Sequence, residues 1–138
     1  MAAKPLVKKA TRVLLKKPKV VKFDPRLLPT SITIMGKTYE VVVVKGLQQD
    51  GEELDGQMTS SQQQIRISAS HGAMEQAVDT LFHELFHAAE HNVGLDHNEE
   101  WVRPISTQVM AILKGNPILA HLILGDYDKV RELLKNEK

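Results

Sequence analysis

The first half of the chain alternates apolar and polar positions; the second half repeats apolar positions at helical spacing. Ile32 and Ile34 alternate with Thr33 and Met35, Gly36-Lys37 supplies a turn, and Tyr39 to Lys45 forms a second β-branched run, which predicts a β-hairpin. The preceding "FDPRLLPTS", with two prolines, reads as an extended connector. "QQDGEELDGQ" is polar and punctuated by glycine, a loop. In "SQQQIRISAS", Ile65 and Ile67 alternate with Gln64, Arg66 and Ser68, as expected of a half-buried third strand.

From Ala73 the period changes. Ala77, Leu81, Leu85 and Ala88 mark a helix that runs to about Asn92 and ends at Gly94, with His71 or Ser70 as candidate caps. A second helix is predicted from Asn98, as N-cap, through Lys114, with Val102, Ile105, Val109 and Ile112 on its buried face. Pro104 falls early enough in that helix to be tolerated. Two short helices are expected near 117–124 and 127–136. Strands followed by helices predict an α+β fold: a small antiparallel β-sheet packed against the first helix and the one after it.

Composition narrows the chemistry. The chain has 138 residues, enough for one core without staples. It has no cysteine, which excludes disulfides, thiolate metal sites and a cysteine nucleophile, so any metal must use His, Asp or Glu. No apolar run approaches the ~20 residues that span a bilayer, and no secretion signal is evident; a cytoplasmic location without membrane association is the expectation. Residues 1–22 carry eight Lys or Arg and no acid, whereas the rest has ten bases against seventeen acids, a formal −7. The expected organisation is a basic arm (1–22), a core domain (23–117) and a C-terminal helical extension (118–138). The arm reads as a solvated tail in preference to a nucleic-acid contact, having two prolines and no aromatic residue to stack on bases.

Four of the six histidines fall between Asp79 and Val102. His83-Glu84-Leu85-Phe86-His87 is an H-E-x-x-H sequence, and at i and i+4 on one helix its imidazoles project from the same face. That spacing suits two nitrogen ligands of one zinc ion. Glu84 sits about 100° round the helix from His83, too far to ligate easily but placed to take a proton from water acidified by the metal.

A catalytic zinc takes three protein ligands. His91 shares the row of His83 and His87 but lies ~12 Å along the axis from His83, too far to converge. The third ligand must return after the Gly94 turn. On a helical wheel with Val102 at zero, Glu99 falls at about +60°, on the rim of the buried face, and Glu100 at about 160°, facing solvent. Glu99 is the choice and Glu100 the alternate. His97 and Asp79 are candidates for supporting a ligand or stabilising an oxyanion.

These residues resemble a family. "DTLFHELFHAAEHNVGL…NEEWVRPISTQVMAILKGNP" is similar to the small zinc-metallopeptidase-like proteins encoded in bacteriophage and prophage genomes, minimal gluzincins related to the SprT-like and ImmA/IrrE-like groups. The likeness covers residues 31–117, including an I-x-I-x-G-x-x-Y-x-V pair from Ile32 to Val41. It implies a zincin fold holding one Zn²⁺ per chain, with His83, His87 and a glutamate of the 99–100 pair as ligands and Glu84 as base. It also implies that the strand before the motif helix is the substrate-binding edge, which here means Gln64, Ile65, Arg66 and Ile67. An extended peptide adding to an open edge suits that idea, and Arg66 would favour an acidic substrate or merely blunt the edge. Pro104, Ser106 and the residues after Asn116-Pro117 depart from the family pattern.

The function expected is hydrolysis of peptide bonds in a protein or peptide substrate. A non-catalytic zincin-fold binding or structural protein and a nucleic-acid-associated protein acting through residues 1–22 are the alternatives.

Overall fold

The computed structural model of the protein describes residues 19–137. Most of the basic arm, and with it the question of nucleic-acid contact, lies outside them.

Six strands precede four helices: β1 (Ser31–Ile34), β2 (Lys37–Val44), β3 (Gln48–Gln49), β4 (Glu52–Glu53), β5 (Gly56–Thr59), β6 (Gln64–Ser68), α1 (Met74–Asn92), α2 (Glu99–Gly115), α3 (Pro117–Leu124) and α4 (Tyr127–Asn136). The α+β class is as expected, a small sheet packed on the motif helix α1 with α2 behind it. The main sheet runs β1-β2-β6-β5, and β3 pairs with β4 in a separate ribbon. Two of its ladders, β1·β2 and β5·β6, are antiparallel, while β2 and β6 pair in parallel. Residues 45–63 separate those two strands, long enough for the crossover that parallel pairing requires.

The hairpin turn is Met35-Gly36, one residue earlier than expected. Both residues have positive φ (49° and 83°), the arrangement whose twist matches the flanking strands. The supposed loop at 48–57 contains the β3–β4 ribbon and the first two residues of β5. Met58 is the sole apolar side chain of β5, so no alternation announced that strand.

The alternation elsewhere is what the core uses. Tyr39 and Val41 of β2 and Ile65 and Ile67 of β6 face Ala77, Leu81 and Ala88 of α1, with Leu28 closing one end. Tyr39 is buried, and its hydroxyl donates to Asn92 Oδ1 at 2.7 Å, so its polar end costs nothing in the interior. Helix α1 has no side-chain N-cap. Ala73 occupies the cap position, while His71 instead stacks on Phe23.

The end of α1 determines where α2 begins. Gly94 takes φ 76°, Leu95 N–H donates to Glu90 O and Gly94 N–H to His91 O, a Schellman termination. Asn98 then caps α2 through the Glu100 N–H. Pro104 sits inside α2 without interrupting it. The buried side of α2 differs from expectation: Val102 and Ser106 are buried, whereas Ile105 and Ile112 are 43% and 48% exposed. The inward direction is thus rotated towards Ser106, which also brings Glu99 closer to α1.

Candidate metal centre and groove

His83 and His87 lie on successive turns of α1, and Glu99 is the first residue of α2. Their side chains meet: His83 Nε2 is 3.2 Å from His87 Nε2, Glu99 Oε1 is 2.7 Å from His87 Nε2, and Glu99 Oε2 is 3.2 Å from His83 Nε2. Donors on a tetrahedron around zinc at ~2.0–2.1 Å are roughly 3.3 Å apart. The two imidazoles and one carboxylate therefore fit a zinc ion with little adjustment. Glu99, not Glu100, is brought to the histidines.

Glu90, three residues after His87, is structurally central. It is 2% exposed, and its Oε1 accepts from Nδ1 of the equally buried His87. That bond puts the His87 proton on Nδ1 and leaves the Nε2 lone pair facing Glu99 and His83. Its other oxygen accepts from the Asn98 N–H at 3.1 Å. One carboxylate thus orients a histidine and anchors the start of α2. The signal in the sequence was the i+3 spacing from His87, legible only once that face is known to be buried.

Glu84 is buried beside this cluster. Burial pushes its carboxyl up to about 7, against a smaller opposing pull from His87; nearby Glu99 adds to the rise, and a hydrogen bond from the Met58 main chain offsets part of it. Burial also lowers His83, outweighing the attraction of Glu99. For Glu99 burial acts upwards, but the hydrogen bond and charge of His87, then of His83, hold its carboxyl below the usual range.

Strand β5 passes directly over α1 here. A Cβ on Gly56 would lie 2.6 Å from Thr80 Cγ2 and 3.1 Å from Glu84 Cγ. Only glycine lets the strand come this close to the helix, as a glycine inside a strand often signifies. Gly56 was hidden in the polar stretch read as a loop.

A cavity of about 720 Å³ opens beside the cluster, between the β4–β5 wall and helices α1 and α2. His83, Glu84 and Glu99 line one part of it, while Glu75, Asp79 and Lys114 line another. Lys114 Nζ bridges Asp79 Oδ1 at 2.9 Å and Glu75 Oε1 at 3.0 Å, which ties α2 to α1. Asp79 is thereby committed to an ion pair and does not support a ligand histidine. His97 stacks on the His87 ring, centroids 3.9 Å apart, and approaches Glu99 Oε1 at 3.3 Å, but it is not part of the groove lining.

The expected edge strand is corrected. β6 lies between β2 and β5, so Gln64, Ile65, Arg66 and Ile67 have no free ladder. Ile65 and Ile67 are core residues, and Arg66 is held by the side chains of Gln64 and Gln62. The open edge next to α1 belongs to β5. Nothing in the sequence pattern marks that strand, since Met58 is its one apolar side chain.

No family model, curated protein or solved structure matches this chain. The site is therefore described by its own geometry: a compact α+β fold whose H-E-x-x-H helix joins a second-helix glutamate in a zincin-like arrangement able to hold a metal ion. Among the described residues no single helix is long and apolar enough to cross a membrane.

Proposed function

We propose that the protein is a zinc-dependent peptidase that hydrolyses peptide bonds with Glu84 as general base. The observation that carries this reading is the buried carboxyl of Glu84, which lines the same solvent-open groove as a His-His-Glu donor set. A structural zinc site has no use for such a carboxyl beside its donors; hydrolysis requires a group there that can take and return a proton.

His83, His87 and Glu99 would hold the ion, with Glu90 fixing the His87 tautomer. Zinc there supplies a Lewis acid that acidifies water and polarises the substrate carbonyl. Glu84 takes the proton from water and returns it to the departing amine nitrogen. The free edge of β5 offers main-chain groups to an extended peptide, which would lie between β5 and α2 and pass across Glu84. The same reading includes the resemblance to phage-encoded minimal gluzincins and a cytoplasmic setting.

Metal analysis of the purified full chain should show about one zinc per chain, lost in His83→Ala and Glu99→Ala and kept in Glu100→Ala. Comparing proteomes of cells expressing the wild type or Glu84→Gln should reveal substrates cut only by the former. A zinc-loaded wild type whose expression leaves the two proteomes identical would defeat the proposal.

A further inference from the structure

We infer that Arg103 is a catalytic residue, its guanidinium donating hydrogen bonds to the carbonyl oxygen of the scissile bond as that oxygen takes up negative charge. This rests on the proposed hydrolysis and adds a residue to it.

Arg103 lies four residues after Glu99 on α2, one turn along the same face, and lines the groove together with His83, Glu84 and Glu99. It is close enough to His83 to act on that ring electrostatically. The groove holds two strong bases, Arg103 and Lys114. Lys114 is spent on Glu75 and Asp79, whereas Arg103 is in none of the ion pairs among the described residues. An exposed guanidinium with its donors uncommitted thus stands on the α2 wall, opposite the β5 edge. A peptide added to β5 directs alternate carbonyls away from that strand, towards α2.

The charge of the groove distinguishes the two anions an arginine there might meet. Glu53 and Asp55 also line it, and neither is in an ion pair among the described residues, so the groove disfavours a substrate carrying a permanent carboxylate. The lining continues from Arg103 to Lys114, roughly 16 Å along the helix, so Arg103 stands beside the donor set and not at a blind end that would grip a chain terminus. What remains is charge that develops during reaction. The water oxygen adds to the carbonyl carbon and loses its proton to Glu84, while the carbonyl π pair moves onto oxygen, where Arg103 donates. When that pair returns, the C–N bond breaks and nitrogen leaves with the proton from Glu84. His97, the earlier candidate for this contact, stacks on His87 outside the groove lining.

The test uses zinc-loaded full chain, fluorescently labelled unfolded casein as substrate, and the variants Arg103→Met and Arg103→Lys. Loss of one such donor should lower kcat about 10²–10³-fold in Arg103→Met with KM within about threefold, and Arg103→Lys should recover part of it. Zinc content should not change. Affinity for a phosphinic dipeptide, a tetrahedral anion, should fall at least about tenfold, while that for a planar hydroxamate dipeptide stays within about threefold. Unchanged kcat, a rise in KM alone, or equal losses for both probes would overturn the assignment. Wild-type protein that cleaves no casein would count against the peptidase reading on this substrate, and the ratio of the two affinities would still decide for or against Arg103.

Discussion

Replacing Glu84 by glutamine should make the metal-free protein more stable, and only at the higher end of the pH range. Its carboxyl is raised from 4.5 to about 7 because it is buried. At about 1.4 kcal/mol per tenfold change in proton affinity, ionising it in the folded state costs about 3 kcal/mol more than in the unfolded chain. The sign follows from proton binding. Between pH 4.5 and 7 the folded protein holds the Glu84 proton more tightly, so this contribution is fully present below 4.5 and is lost as pH rises through 7. Glutamine fills the same space and does not titrate, so the variant escapes the loss. Urea unfolding in chelator, followed by the fluorescence of the one tryptophan, Trp101, measures both proteins at each pH. Other titrating groups cancel in the difference. The two should coincide near pH 4.5 and differ by about 3 kcal/mol above pH 8, or roughly 10 °C in Tm. A difference that stays flat across this range would refute the claim that burial holds Glu84 protonated.

Two further variants probe the supports of the site. Glu90→Ala leaves His87 without its Nδ1 partner and Asn98 N–H without an acceptor, so zinc affinity, read by chelator competition, should fall about 10–100-fold with the three ligands intact. Gly56→Ala drives a methyl group into Thr80 and Glu84 and should cost about 1–3 kcal/mol in urea unfolding. The same variant should lose casein cleavage while retaining zinc, because its clash is with Glu84 and not with a ligand.

Local periodicity carried much of the outcome. The i, i+4 histidines share a face because the helix repeats every ~3.6 residues, and Ile65 and Ile67 share a core because a strand repeats every two. Helix ends were legible too, since Gly94 and Asn98 act through their own backbone neighbours. The preference for Glu99 over Glu100 came from helical phase, although the phase itself was slightly off, as the burial of Ser106 and exposure of Ile105 show. Everything that depended on which segments become neighbours had to wait for the fold. β5 has almost no apolar side chain, and its place at the sheet edge comes from pairing with β6 and packing of Gly56 on α1. The raised proton affinity of Glu84 and the bracing role of Glu90 both depend on burial, which spacing alone does not supply. The order of residues set which side chains offer the chemistry and at what interval. Tertiary structure alone decided which are desolvated, which are spent on ion pairs like Asp79, and which face a groove like Arg103, because dielectric and proximity belong to the packed chain and not to its order.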